Sequence, residues 1–495
     1  MNSSAEMHPR RVLVAGATGY VGGRLVPELL KAGYAVRALA RTPRKLEGRS
    51  FFGHPQLEIA QGDVLDAASL SRALAGIDTA YYLVHSLGSG DDFAERDRLA
   101  ARTFAHSCAQ AGVKRIVYLS GLGERDAPNL SNHLASRHET GDVLREGSVP
   151  VTELRAAVIV GSGSASYEII HDLTRKLPFM IAPKWLRSRC EPIAIRDVVA
   201  YLVRVLDEPR TIGQVLDIGS GEVLTYQQMI VIFGEELGRP PTIIPVPMLT
   251  PRLSSWWLHL VTHVDFSVVQ PLIEGLSNDV VCEEYRIREW IPLELTGYRE
   301  AVKLALKRSS SPERWSSWTD ADRSVHATPE AAPAATSSRT RQRVHRDYRV
   351  FEADLPADQL FDRVISIGGD EGYGHGMDLF WGVRGTVDRM VGGPGLRRGR
   401  PKGTLHEGDP LDFWRVEHLT PPRSLVLSAE MIVPGSARLE FRVEEIDERR
   451  SRLHQVATLT GSSVWSTIYW SSVWPAHALV FNALGNHIVR GMRSS

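Results

Sequence analysis

Residues 11–26 read RVLVAGATGYVGGRLV, and this stretch decides the fold of the first half of the chain. An apolar run rich in branched side chains comes first and predicts a buried parallel strand. A glycine-rich turn follows, and the apolar residues from Val21 to Leu30 then recur at helical spacing. The stretch therefore predicts a strand, a tight turn and a helix.

The three spaced glycines of the turn have separate physical roles. Gly16 permits the tight turn, Gly19 lets backbone N–H groups approach a pyrophosphate, and Gly22 lets the helix pack against the strand. The phosphates would then lie at the positive end of the helix dipole. A plain turn is the alternative, but the strand before it and the helix after it favour dinucleotide binding.

The spacing Gly-x-x-Gly-x-x-Gly resembles that of the atypical and extended short-chain dehydrogenase/reductases, in particular the NmrA-like branch. The resemblance covers roughly residues 11–300 and implies a doubly wound parallel Rossmann sheet that binds NAD(P)(H). It also implies that Asp63 and Val64 contact the adenine. In this family fold, the turn residues expected to bind the cofactor are Gly16, Thr18, Gly19, Tyr20, Val21 and Gly22.

Further candidate residues follow the predicted strands. The patterns predict strands at residues 57–66, 79–86 and 115–121, and residues 193–199 resemble the family's strand followed by a helix N-cap, with Asp197 as the capping residue. Ligands bind at the carboxyl ends of such strands, which places Val84, His85 and Ser120 in the cofactor crevice. Arg41 follows the second strand, where a cation accommodates the 2′-phosphate, so NADP(H) is favoured over NAD(H). A solvated basic loop is the alternative at Arg41.

Typical members of the resembling family carry Tyr-x-x-x-Lys on the helix after the fifth strand, and the alignable pair here is His133 and Arg137. His133 is suited to act as a general acid near neutral pH, with Ser120 assisting. Arg137 can bind a ribose diol but stays charged and cannot exchange a proton. The alternative is that both are polar helix residues beside the cleft.

Two functions remain open at this point. The first is an NADPH-dependent oxidoreductase acting on an unidentified small molecule. The second is a catalytically inactive NAD(P)H-sensing or assembly protein, which the missing Tyr-x-x-x-Lys pair favours. Whether the chain is an enzyme therefore stays undecided by its sequence.

Composition narrows the class of protein. The 495 residues have a formal net charge of zero, which gives no electrostatic argument for nucleic acid. The sequence contains no run of about eighteen apolar residues, so we predict no membrane-spanning helix. The three cysteines form no Cys-x-x-Cys pair, which favours a cytoplasmic location. His259 and His263 have a spacing that can bind a metal, but ordinary helix residues are favoured and no metal site is predicted. The oligomeric state is not predicted.

The second half of the chain predicts a separate domain. We expect an NAD(P)-binding domain over residues 10–305, a flexible linker over 306–343 that is rich in Ser, Thr, Ala, Pro and Arg, and a second domain over 344–495. The second domain has the order strand, short helix, antiparallel strands and long helix, which is typical of an α+β helix-grip fold. The segments at residues 391–400 (VGGPGLRRGR), 412–416 (DFWRV) and 468–470 (IYW) resemble an uncharacterised bacterial domain family found behind NmrA-like domains, which is similar to the START-like superfamily.

That resemblance implies a cavity for an apolar small molecule. The aromatic residues that could line it, or could equally form the core, are Trp381, Trp414, Trp465, Trp470, Trp474 and Phe481. In the first domain, Asp66, Asp197 and Thr225 are predicted to cap helices, the last with Gln228 as a capping box.

Overall fold

The computed structural model describes residues 10–47, 49–85, 93–123, 131–177, 179–182, 184–245, 278–309, 316, 343–369, 373, 383–385, 388, 405–461 and 464–490. These residues form two compact units, divided at about residue 325. The histidine pair His259 and His263, Trp381 and most of the predicted linker lie outside the described residues.

The first unit contains short strands alternating with helices. In chain order its strands are β1 (Arg11–Ala15), β2 (Ala35–Ala40), β3 (Leu57–Gln61), β4 (Thr79–Tyr82), β5 (Arg115–Gly121), β6 (Val151–Ala156), β7 (Ile159–Val160), β8 (Phe179–Ala182), β9 (Arg189–Cys190), β10 (Ile193–Ala194), β11 (Val215–Ile218), β12 (Leu224–Thr225) and β13 (Thr242–Pro245). Its helices are α1 (Gly22–Lys31), α2 (Ala67–Leu74), α3 (Phe93–Gln110), α4 (Asn132–Arg145), α5 (Ala165–Lys176), α6 (Ile195–Arg204), α7 (Tyr226–Glu236), α8 (Arg286–Trp290) and α9 (Tyr298–Ser309).

Seven of these strands form one parallel sheet in the order β11-β6-β5-β4-β1-β2-β3. Along β1, Val12 and Val14 pack into a core with α1 and α6, whereas Leu13 and Ala15 join a second core with α2 and α3. Helices therefore cover both faces, which confirms the predicted Rossmann-type α/β fold. The chain order reverses between β1 and β4, and ligands bind at such a switch point.

The ends of the strands differ from the sequence predictions in a way that matters for function. β3 ends at Gln61 and β4 at Tyr82, so Asp63, Val64, Val84 and His85 lie in loops beyond the carboxyl edge of the sheet. The strand predicted to lead from Ile193 to an N-cap at Asp197 ends earlier, at Ala194, because α6 begins at Ile195.

Two of the three predicted helix caps are confirmed. The Asp66 carboxylate accepts hydrogen bonds from the N–H groups of Ala68 and Ser69 at the start of α2. Thr225 forms the predicted capping box with Gln228 at the start of α7. The capping role of Asp197 is wrong: it lies inside the first turn of α6, where its buried carboxylate accepts a hydrogen bond from the Thr296 N–H at 2.8 Å.

The second unit is a six-stranded antiparallel sheet in the order β14-β19-β18-β17-β16-β15. Its elements are β14 (Arg343–Ala353), α10 (Ala357–Ser366), β15 (Pro410–Leu411), β16 (Trp414–Thr420), β17 (Ser424–Ala429), β18 (Ser436–Asp447), β19 (Arg450–Gly461) and α11 (Val464–Arg490). Both helices pack on one core with the sheet, through residues such as Phe361 of α10, Phe441 of β18 and Leu484 of α11. In the described part of the chain, neither α11 nor another helix is long and apolar enough to cross a membrane.

The aromatic residues predicted to line a cavity in the second unit lie in different environments. Trp414 and Phe481 belong to the core, whereas Trp465 and Trp474 are 71% and 44% exposed. Two of the six predicted lining residues are therefore packing residues, and two more lie at the surface.

Candidate functional site

The glycine-rich turn between β1 and α1 leaves no room for side chains at two positions. Gly16 has a φ of +93°, and a Cβ there would stand 2.7 Å from the carbonyl oxygen of Leu83. A Cβ on Gly22 would overlap the carbonyl oxygen of Gly16, and Gly19 donates its N–H to that same oxygen at 3.0 Å. The turn is thus a backbone cradle that packs against the loop after β4.

The start of α1 offers positive charge to a ligand in this cradle. Val21 occupies the N-cap position and makes no side-chain capping bond. Helix N–H groups without a side-chain cap bind anions, assisted by the helix dipole. The buried guanidinium of Arg49 lies 3.5 Å from the carbonyl oxygen of Thr18. Cradle, helix end and guanidinium together fit a pyrophosphate group.

The rear of the turn is fixed by another arginine. The Arg24 guanidinium stacks over the Tyr20 ring at 4.2 Å and donates to the carbonyl oxygens of Ser162 and Ser316 at 2.7 and 2.6 Å. Ser316 in turn donates to the carbonyl oxygen of Tyr20 at 2.7 Å. Burial raises the pKa of the Tyr20 hydroxyl to about 12, so Tyr20 is a protonated packing group here.

The predicted adenine and 2′-phosphate residues lie in the next loops along the sheet edge. Arg41 follows β2 directly, and its carbonyl oxygen accepts a hydrogen bond from Gln61 Nε2 at 3.5 Å. The Asp63 carboxylate accepts the Leu65 N–H at 3.0 Å, which shapes the loop after β3, and Val64 is buried there. These contacts place Arg41, Asp63 and Val64 on the same edge as the turn.

Two histidines and an aspartate meet on the other side of the turn. Nδ1 of His85 lies 3.3 Å from the Asp97 carboxylate on α3, and Nε2 of His85 lies 3.2 Å from Nδ1 of His133 on α4. The two imidazole rings are 4.7 Å apart between centroids. His85 follows Leu83 and Val84, so this group stands two residues from the backbone that contacts Gly16.

Burial keeps both histidines neutral near physiological pH. It lowers the pKa of His85, which the Asp97 carboxylate partly offsets. The pKa of His133 lies well below its usual value, first because of burial and then because of the charges of His85 and Arg137. A resting His133 therefore lacks the extra proton that the predicted general acid needs.

Arg137 and Ser120 are held by the fold. Arg137 Nη2 donates to the carbonyl oxygen of Leu119, and the hydroxyl of Tyr118 donates to the carbonyl oxygen of Arg137 at 2.9 Å. The Arg137 backbone and side chain are thereby tied to the end of β5. Ser120 is only 2% exposed, so a ligand reaches it only if neighbouring side chains move.

Sequence reasoning did not single out Arg49, Asp97 or Glu191. Arg49 is one of several cations after β2, and Asp97 stands in a run of charged residues (95–98), so neither has a distinct sequence signal. Glu191 is fully buried and accepts hydrogen bonds from the Tyr285 hydroxyl at 2.9 Å and Arg288 at 2.8 Å. It holds the segment around α8 against the sheet edge. Among the described residues, no cluster of three or more His, Cys, Asp or Glu could hold a metal.

Two family models match parts of the chain. Residues 8–252 match the model of the NmrA-like family. Residues 339–484 match a family described as a protein of unknown function, DUF2867.

Several curated proteins are similar to the first unit. A (4-alkanoyl-5-oxo-2,5-dihydrofuran-3-yl)methyl phosphate reductase of Streptomyces griseus is 29% identical over 236 residues, 46% of this chain and 74% of the relative. A 3 beta-hydroxysteroid dehydrogenase/Delta 5-->4-isomerase of Mycobacterium tuberculosis is 38% identical over 120 residues, 22% of this chain. That match spans only 31% of the steroid dehydrogenase.

Solved structures are similar in the same region. A triphenylmethane reductase of Citrobacter has a TM-score of 0.49 and 20% identity, and the match covers 60% of this chain and 99% of the reductase. The NADPH-dependent quinone oxidoreductase QOR2 of Escherichia coli, solved with NADPH, has a TM-score of 0.48 and 19% identity, covering 59% and 98%.

Proposed function

We propose that the first unit binds NAD(P)(H) and acts as a reductase-type oxidoreductase on a small molecule. The observation that carries the proposal is the glycine cradle at the switch point of the sheet, with the His85 and His133 pair two residues from its contact with Leu83. The similarity to the Streptomyces reductase over three quarters of that protein's length supports the same class of reaction.

The roles of the binding residues follow from their positions. The turn from Gly16 to Gly22 and the guanidinium of Arg49 hold the pyrophosphate. Asp63 and Val64 border the adenine, and Arg41 binds a 2′-phosphate, which makes NADP(H) the preferred cofactor. Val84 and His85 line the crevice, and Arg137 binds the nicotinamide ribose.

The bound cofactor supplies a hydride, and the chain supplies binding, orientation and a proton. Arg137 stays charged and positions its ligand without exchanging a proton. His133 is the group that exchanges the proton, and Ser120 on β5 assists by hydrogen bonding after a local rearrangement. The substrate is a small molecule whose identity the chain does not specify.

We infer that the second unit is a START-like domain that binds an apolar ligand. The support is its order of one strand, one short helix, antiparallel strands and one long helix, with both helices on the same core. We also infer a cytoplasmic location, because Cys108, Cys190 and Cys282 are all buried thiols without a disulfide.

Calorimetric titration with NADPH and NADH tests the cofactor, and absorbance at the reduced-nicotinamide band tests turnover. We expect tighter binding of NADPH and its oxidation by at least one compound in a panel of quinones, enones and aldehydes. Binding without any oxidation across the panel would contradict the reductase assignment. Absence of binding would contradict the cofactor site itself.

A further inference from the structure

Asp97, His85 and His133 form an unbroken series of polar contacts. Asp97 is 5% exposed and its carboxylate faces Nδ1 of His85, and Nε2 of His85 faces Nδ1 of His133. The outer atom of the series, Nε2 of His133, makes no hydrogen bond to any residue within the described ranges. The series thus begins at the Asp97 carboxylate and ends at Nε2 of His133.

The Asp97 carboxylate determines which ring nitrogen of each neutral histidine carries the proton. A carboxylate accepts hydrogen bonds and donates none, so neutral His85 must carry its proton on Nδ1. Its Nε2 atom then has a lone pair, which accepts the proton that His133 carries on Nδ1. A neutral imidazole has one proton, so Nε2 of His133 is left with a lone pair.

We propose that Asp97 is a positioning residue that acts through His85 to present Nε2 of His133 as a proton acceptor. This proposal rests on the proposed oxidoreductase function and specifies its proton step. In the hydroxyl-oxidising direction, which is the reverse of the proposed reduction, the carbon-bound hydrogen would leave as hydride to bound NAD(P)+ while the hydroxyl proton binds at Nε2 of His133. The resulting imidazolium can pass its Nδ1 proton to His85. The positive charge then approaches the Asp97 carboxylate, which stabilises it.

The groups around the series set the direction of transfer. Asp97 favours a charged imidazole, whereas the Arg137 guanidinium and burial disfavour it at both histidines. Because the neutral form prevails at rest, Nε2 of His133 has a free lone pair, and the Asp97 carboxylate offsets part of the cost of the positive charge once it reaches His85. Donation in the reductive direction first requires that His133 be protonated from solvent, so that direction is favoured at low pH.

Ring nitrogen NMR of the full-length protein tests the proposal without substrate or cofactor. Histidine is labelled with 15N in its ring, and the signals are assigned with His85→Gln and His133→Gln. At neutral pH we expect both His85 and His133 to carry their proton on Nδ1. In Asp97→Asn the ratio of Nδ1–H to Nε2–H at His133 should fall about tenfold, because a hydrogen bond to a charged acceptor is lost.

Two controls separate positioning from a structural role. Glu139→Gln removes a different carboxylate, which lies on α4 and pairs with Arg98 at 2.9 Å. This variant should leave the ratio of Nδ1–H to Nε2–H at His133 unchanged. If Asp97→Asn does not fold, His85→Leu decides, because leucine offers no acceptor for the His133 Nδ1 proton and should shift His133 toward Nε2–H.

The proposal is overturned by a His133 proton on Nε2 in the wild type. It is overturned equally by an unchanged ratio in folded Asp97→Asn, or in His85→Leu where that variant decides. Calorimetric titration of the same wild-type sample with NADPH distinguishes a failure of the oxidoreductase function from a failure of the Asp97–His85–His133 series. A protein with the expected histidine protons but no NADPH binding would reject the oxidoreductase function, whereas binding with the wrong protons would reject only the series.

Discussion

Nε2 of His85 lies 3.2 Å from Nδ1 of His133, which joins the loop after β4 to the first turn of α4. The contact brings together one residue predicted to line the cofactor crevice and one predicted to exchange a proton. It also changes the chemistry of both, because each ring nitrogen that faces a partner has its proton fixed by that partner.

The neutral histidines predict a loss of stability in acid. The pKa of His133 is well below that of an unfolded histidine, about 6.5, so the unfolded chain binds a proton first as the pH falls. The free energy of unfolding should therefore be undiminished above about pH 6.5 and decrease below it. Urea denaturation between about pH 7.5 and about pH 5.5 should show a smaller decrease in His133→Gln. Exposed His106→Gln is the control, and an equal decrease in both variants would contradict the burial of a neutral His133.

The position of Arg41 after β2 predicts a preference for NADP(H) over NAD(H). Arg41→Ala should weaken NADPH binding by about 1–3 kcal/mol, the scale of a lost charge-assisted contact, and leave NADH nearly unaffected. Calorimetric titration measures both affinities, with Arg102→Ala on the exposed side of α3 as the matched control. Equal losses for the two cofactors would remove the basis for preferring NADP(H).

The position of Arg49 predicts that its substitution weakens binding of both cofactors, unlike that of Arg41. Its guanidinium lies beside the turn at Thr18, where a pyrophosphate common to both cofactors would bind. Arg49→Gln should therefore weaken NADPH and NADH binding by similar amounts, about 1–3 kcal/mol. A thermal unfolding curve of the same variant reports any loss of packing. Selective loss of NADPH binding would instead assign the 2′-phosphate to Arg49.

The cap of α2 predicts a modest change in stability. Asp66→Ala removes the acceptor of the Ala68 and Ser69 N–H groups and should cost about 1 kcal/mol in free energy of unfolding. Asp66→Asn is the matched control, because Asn caps helices about as well as Asp. Chemical denaturation measures both, and a full loss in Asp66→Asn would show that charge rather than capping matters.

The sequence was sufficient for the fold of the first unit because local signals and tertiary structure agree there. The apolar run at β1, the spaced glycines and the helical periodicity of α1 all act over a few residues. Strand ends were less accurate: the residues after Gln61 and Tyr82 continue an extended pattern, and only pairing with neighbouring strands decides where each strand stops.

The partners of the candidate site residues were not predictable from the sequence. Asp97 lies twelve residues after His85, and Arg49 thirty-one residues after Thr18, and no periodicity connects either pair. Asp197 shows the same limit, because its partner Thr296 is ninety-nine residues away. The assignment of His133 as a general acid also depended on its usual pKa, which burial changes.

The most direct test of the account is calorimetric titration of the wild type and of Gly22→Ala with NADPH and NADH. A Cβ at Gly22 would overlap the Gly16 carbonyl oxygen, so Gly22→Ala should lose binding of both cofactors. Exposed Gly297→Ala is the control, because its Cβ would have only an ordinary contact, 3.6 Å from Glu222. We expect binding by the wild type and Gly297→Ala alone. A wild type that binds neither cofactor, or a Gly22→Ala variant that binds as tightly as the wild type, would contradict it.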